Sequence, residues 1–180
     1  YTSFKTYDGE LPQFKYIKNY TDTADTGNDY LCSINYGVTF QNEAYILNVL
    51  YTKEGMEVTE PAQAKMMFED EVNIADIESN NGGRSYSRNV ERIMRERYKT
   101  NKTVFRPFHQ SKNKAARILS NSTWVMEHIY FPHNWKQRFP EYYEAMMKYQ
   151  KEGKNKHDDA PDATTGIAEK INKGEIYSWD

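Results

Sequence analysis

Lys15 to Tyr36, KYIKNYTDTADTGNDYLCSINY, constrains this chain more than any other stretch, because it reads as two β-strands joined by an acidic turn. Tyr16, Ile17 and Tyr20 supply the β-prone residues of a first strand, and Tyr30 to Tyr36 alternates apolar with small or polar residues as a second strand does. Asp22 falls at the end of the first strand, and Asp25, Thr26, Gly27 and Asn28 have the composition of a tight turn. A carboxylate at a strand end in the centre of a sheet loses hydration, so it stays ionised only where a cation or hydrogen-bond donors offset the loss. Asp22 therefore requires a partner charge.

The pattern continues with a third strand in Glu43 to Lys53, dense in Ile, Leu, Val and Tyr. Its short connection, Val38 to Asn42, predicts an antiparallel meander of three strands. Thr59 as N-cap and Pro61 in the first turn predict a helix running to Glu71. A fourth strand, Val72 to Glu78, ends in Ser79-Asn80-Asn81-Gly82-Gly83, a turn that opens a helix from Ser85 to Lys99. Beyond it lie a strand at Thr103–Phe108, a helix at Lys112–Leu119, a β-like run at Trp124–Phe131, an irregular stretch from Pro132 to Pro140, and helices at Glu141–Lys151 and Ala160–Ile171. Residues 1–14 carry no period and read as a lead-in or interdomain linker, leaving 15–180 as one domain. Three meander strands followed by α-β units predict an α/β fold with a mixed sheet, the meander plus parallel strands, flanked by helices. That element order is the one of the ribonuclease H-like fold.

A length of 180 residues is enough to bury a core without disulfides, and Cys32, the single cysteine, reads as a buried apolar filler in a reducing compartment. No apolar run approaches the ~18 residues of a membrane span, and no basic-then-apolar N-terminus suggests export, so a cytoplasmic location is expected. The net charge of −2 argues against a general nucleic-acid binder. Its distribution does not, because eleven Lys or Arg lie between Arg84 and Arg117 against only Glu91 and Glu96. Such a segment is either a solvated helix face or an attractor of phosphates.

Three acidic clusters stand at the starts or ends of elements: Asp22 with Asp25, Asp76 with Glu78, and Asp159 with Asp162. With the first strand central and the fourth beside it, Asp22 and Glu78 are expected to meet, and the last helix to bring Asp159 or Asp162 to the same point, since positions three apart share a face. Converging carboxylates repel one another unless a divalent cation intervenes, and an all-oxygen set suits Mg²⁺ or Mn²⁺. Two such ions can activate water and stabilise the leaving oxygen of a phosphodiester. Each acid also has a plainer reading: Asp22 and Asp25 as turn formers, and Asp158, Asp159 and Asp162 as complements of a helix dipole. The conjunction of all three at element ends is what favours a metal centre.

Those residues carry a family resemblance. YTDTADTGNDYLCSINYG, ADIESNNGGRSYSRNV and KHDDAPDA resemble the nuclease domain of the large terminase subunit of tailed bacteriophages, with its first acid in a D-x-A pattern, a Glu in I-E-x-N-x-x-G and a late Asp-Asp-x-x-Asp. The patterns match at Asp22, at Glu78, and at Asp159 with Asp162, over a span from about Tyr16 to Ile171. The resemblance implies a metal-dependent endonuclease that cuts concatemeric double-stranded viral DNA during packaging in the host-cell cytoplasm. Asp22, Glu78 and Asp162 would be catalytic, and Asp22, Glu78, Asp159 and Asp162 metal ligands, with Asp76 as an alternative middle acid. It further implies an N-terminal ATPase domain in the full-length protein, and the portal and small terminase subunit as partners. No Gly-Lys-Thr/Ser phosphate loop occurs here, so the chain is expected to be the nuclease half. Arg84, Arg88, Lys112, Lys114 and Arg117 are then expected to hold the DNA backbone. His157 is either a loop residue or a ligand, and Gly82 and Gly83 serve either a turn or a close phosphate. Trp124, Trp135, Tyr142 and Tyr143 read as packing groups rather than a base-stacking platform. Two rivals stand beside this reading: another ribonuclease H-like nuclease such as a Holliday-junction resolvase or transposase relative, and a non-catalytic DNA-binding module.

Overall fold

A computed structural model of the chain describes residues 3–24, 29–80, 83–152 and 158–172. Its strands are β1 (Lys5–Tyr7), β2 (Phe14–Asp22), β3 (Leu31–Thr39), β4 (Ala44–Thr52), β5 (Ile74–Glu78), β6 (Val104–Phe108) and β7 (Ile129–Pro132). The helices are α1 (Met56–Glu69), α2 (Gly83–Arg97), α3 (Lys114–His128), α4 (Trp135–Arg138), α5 (Pro140–Glu152) and α6 (Asp159–Asn172). The strands form one sheet in the order β1-β7-β4-β3-β2-β5-β6. The expected meander is present as antiparallel β2-β3-β4, and β5 lies parallel beside β2 with Tyr20 opposite Asp76 and Thr21 opposite Ile77. β6 extends the sheet in the same direction, so the C-terminal ends of β2, β5 and β6 share an edge.

Helices cover both faces of the sheet, so β3 and the second half of β2, Lys18–Asp22, bury every residue instead of alternating with solvent. On one face Tyr20, Cys32, Ile34 and Tyr36 pack with Ala163 and Ile167 of α6 and Met146 of α5. On the other, Ala75 and Ile77 pack under Met67 of α1 and Tyr86 and Val90 of α2. That second face also holds buried polar groups that satisfy one another. Asn19 donates to Ser33 and Asn35 at 2.8 Å, Gln63 donates to Thr21 at 2.8 Å, and the Tyr86 hydroxyl donates to Gln63 at 2.8 Å. Cys32 is fully buried, and burial with nearby carboxylates pushes its thiol well above the ordinary range, as suits a filler.

Four local readings differ from the structure, one of them the stretch Pro132 to Pro140, read as irregular, which contains α4. The β-like run Trp124–Phe131 is split: α3 continues to His128, because Arg117, Ile118, Asn121 and Val125 recur at helical spacing and bury one face, overriding the β preference of Trp124 and Val125. Only Ile129–Pro132 is strand. α1 begins at Met56, so Pro61 lies inside the helix rather than in its first turn, and Thr59 is a buried helical residue rather than the N-cap. Residues 5–7, read as part of a lead-in, pair with β7 as an edge strand, and Phe4 packs edge-on against Phe131 and Trp135. Asp25, Gly82 and His157 lie outside the described residues.

The seat of α6 depends on Gly166. A Cβ there would fall inside the ring of Tyr20, which is itself 2% exposed. Gly166→Ala is therefore expected to destabilise the protein by roughly 1–3 kcal/mol from overpacking, despite the ~1 kcal/mol that Ala gains in helix propensity. Chemical denaturation would check this, and a variant as stable as the parent would show that α6 does not rest on Tyr20.

Candidate metal centre

β2 and β5 run in parallel register as far as Thr21 and Ile77, one residue short of their ends, which brings Asp22 and Glu78 side by side at the sheet's edge. α6 starts at the same edge with Asp159 and Asp162 in its first turn, where negative charge is favoured by the helix dipole. One carboxylate oxygen from each of Asp22, Glu78 and Asp162 lies within 4.8 Å of the others. Among the described residues these three form the group the sequence singled out, gathered across 140 positions of chain.

The electrostatics of the group are unbalanced. Asp22 is 6% exposed, and its Oδ2 is buried without a hydrogen-bond partner. Burial first, and then the charges of Asp162 and Glu78, hold its carboxyl well above the ordinary range. An orphaned carboxylate oxygen facing two more carboxylates fits a small divalent ion, and the all-oxygen donor set fits Mg²⁺ or Mn²⁺.

Asp162 is held from behind. Arg117 of α3, 5% exposed, donates from Nη1 to Asp162 Oδ1 at 2.5 Å, and from Nε and Nη2 to Glu169 Oε1 at 2.8 and 2.5 Å. Asp162 and Glu169 stand two turns apart on α6, so one guanidinium fork ties the acid to its own helix. Burial works against the charge of Arg117, but Glu169 and Asp162 more than offset it and raise its pKa. This corrects the expectation that Arg117 contacts DNA: it is buried and occupied. Lys114, one turn earlier, is half-buried and touches Asp158, Asp159 and Asp162 at 3.3, 3.4 and 3.6 Å, so at rest its ammonium also faces acids rather than a phosphate.

Asp159 sits at the margin. The backbone N–H of Tyr30 donates to its Oδ2 at 3.1 Å; burial raises its carboxyl, opposed by that N–H and by Lys114. Asp76, the alternative middle acid, lies two residues inside β5 and faces Lys18 at 3.0 Å, both nearly inaccessible. It neutralises a buried ammonium instead of joining the cluster, because the register brings Glu78, not Asp76, level with Asp22. Arg84, Arg88 and Lys112 are exposed, on α2 and on the loop before α3. The roles of Arg117 and Glu169 were missed in the sequence, although a charge in the buried stripe Arg117-Ile118-Asn121-Val125 was a signal that α3 meets an acid.

No family model matches the chain, and no curated protein matches it in sequence. Solved structures do. The nuclease domain of the large terminase subunit gp2 of bacterial virus Sf6, as a point mutant with manganese and beta-thujaplicinol, aligns with a TM-score of 0.55 at 10% identity, over 86% of this chain and 88% of that one. The same mutant domain with calcium gives 0.57 at 11% identity over the same shares. The chain has the ribonuclease H-like fold. A fowlpox virus Holliday junction resolvase shares it, with a TM-score of 0.51 at 14% identity over 84% of this chain and 95% of that one. The likeness in fold to the terminase domain agrees with the motif resemblance. No helix among the described residues is long and apolar enough to cross a membrane.

Proposed function

We propose that this chain is a divalent-metal-dependent DNA endonuclease that cleaves double-stranded concatemeric viral DNA during genome packaging, as the nuclease half of a terminase large subunit. The observation that carries the reading is the convergence of Asp22, Glu78 and Asp162 at the edge of a ribonuclease H-like sheet, with a buried Asp22 oxygen that has no partner. Mg²⁺ or Mn²⁺ held by these acids would supply Lewis acidity and offset the charge that develops on a phosphodiester under attack by water. We assign two ions to the complete reaction, with Asp22 shared between them, Glu78 and Asp162 each completing one site, and Asp159 as the further ligand candidate beside Asp162. Asp22, fixed by strand pairing with Cys32 of β3, is the rigid member of the set. Arg117 keeps Asp162 in one orientation through Glu169. Arg84, Arg88 and Lys112 provide exposed positive charge for the DNA backbone, a contact that carries no sequence information. The reading extends to the host-cell cytoplasm as the place of action, to a covalently attached ATPase domain, and to the portal and small terminase subunit as partners.

The resolvase is the second reading, favoured by the fowlpox structure, nearly all of which is covered by the alignment. The two are separated by substrate. The chain, given Mn²⁺ or Mg²⁺, is expected to cut linear duplex DNA, and EDTA to abolish the cutting. Preferential cleavage of a four-way junction would replace the terminase assignment with the resolvase, and no cleavage of either with both metals would leave a binding module.

A further inference from the structure

Two hollows flank the acidic centre along the sheet edge where β4, β2, β5 and β6 end, and they differ in charge. On the β4 side, Glu141 and Glu144 of α5 line one of them beside Tyr30 and Tyr51, with Lys148 as its cation. On the β6 side, a hollow of about 250 Å³ has Tyr20, Phe108 and Gly166 as its floor and His109, Lys112 and Lys170 as its rim. Glu169 also borders it, but that carboxylate accepts from Arg117. The hollow on the β6 side is therefore the positive one.

Its wall is fixed relative to the metal ligands. The backbone N–H and the hydroxyl of Ser79, next to Glu78, both donate to the Phe108 carbonyl, at 2.7 and 2.8 Å. Asn80 and Gln110 repeat the tie one step on: the Asn80 amide donates to the Gln110 carbonyl at 2.7 Å, and the Gln110 N–H donates to Asn80 Oδ1 at 3.1 Å. The Phe108 ring stands 5.5 Å from that of Tyr20, and Lys170 Nζ lies 4.1 Å from its centre, a cation–π contact that holds the ammonium at the mouth of the hollow.

We propose that this hollow is a phosphate subsite for the strand being cut. Lys112 and Lys170 hold backbone phosphates one or two nucleotides from the scissile one, and the DNA leaves the metal centre over β5 and β6 rather than over β3 and β4. The proposal rests on the DNA-cleavage reading and adds a direction to it. The spacing fits: Asp162 and Gly166 are one turn apart on α6, ~6 Å of rise, and successive phosphates of a duplex strand rise by ~3.4 Å. The size fits as well, being smaller than the ~300–1,000 Å³ usual for a drug-sized ligand and suited to one phosphodiester with its sugar. Arg84 and Arg88, exposed near the start of α2, lie on the same side, since α2 packs on β5 and β6.

Fluorescence anisotropy with the whole chain and a short fluorescein-labelled linear duplex tests this in EDTA, where cutting does not intervene. From low salt upward, the fall of log K with log salt concentration is expected to become shallower by about 0.9 for Lys112→Ala and for Lys170→Ala. Lys170→Arg, which keeps the charge, and Lys148→Ala, in the acidic hollow, are expected to keep the parent's slope. Lys170→Gln gives the same result as Lys170→Ala should the latter not fold. An unchanged slope in folded neutral variants of either lysine, or an equal loss from Lys148→Ala, would overturn the proposal while leaving the DNA reading standing. A parent that binds no duplex even at low salt would overturn both.

Discussion

Asp22→Asn is expected to lower metal-dependent DNA cleavage by about 10³-fold or more, on the scale of losing a central electrostatic group, while raising the melting temperature of the metal-free protein. The two effects have one cause. Asp22 is buried among like charges and its Oδ2 has no partner, an arrangement that costs stability until a cation arrives. Asn removes the charge and keeps the shape, which should stabilise the metal-free fold by on the order of 1 kcal/mol, or about 2–4 °C for a chain of this size. The pH dependence follows from the raised carboxyl. Folding favours its protonated form, so the contribution of Asp22 is complete below the unfolded value of about 4 and is lost as pH rises through the folded value. Metal-free parent protein should therefore lose stability relative to Asp22→Asn as pH is raised from acid to neutral. Saturating Mn²⁺ reverses the order, since binding at a hundredfold excess over Kd is worth about 2.7 kcal/mol to the parent and much less to the variant. Thermal melts in EDTA and in Mn²⁺ at acid and neutral pH, beside a cleavage assay, check each part. A variant that cuts normally, or melts below the parent in EDTA at neutral pH, would remove Asp22 from the centre.

Arg117→Ala is expected to cost about 3–5 kcal/mol, because it strands buried partners instead of removing a surface charge. Asp162 and Glu169, at 4% and 12% exposure, would lose the guanidinium they share. On this scale the melting temperature falls by about 10 °C. The loss should persist in high salt, which screens exposed pairs far more than buried ones. Arg117→Lys should recover only part of it, since an ammonium cannot span both acids as the fork does. Denaturation of the metal-free proteins at low and high salt measures all three. A loss below about 1 kcal/mol, or one that salt erases, would place Arg117 among ordinary surface cations.

The site and the frame were not equally legible. Alternation and turn residues in Lys15–Tyr36, with the short link to the next strand, determined the β2-β3-β4 meander, and the acids at element ends marked Asp22, Glu78 and Asp162, because periodicity, turn chemistry and helix-start charge are local properties written in neighbouring residues. Asp76 against Glu78 was not decidable that way: both lie on one face of β5, and only the register with β2 placed Lys18 against the first and Asp22 beside the second. The same limit hid β1, which needs β7 for a partner, and the helical state of Trp124–His128, which belongs to a helix packed chiefly against α6. It also gave Arg117 to DNA, when its guanidinium is buried against Asp162 and Glu169. A sequence specifies how much charge a segment carries, but which opposite charge it meets, and whether water is there to screen it, is settled by contacts between residues far apart in the chain.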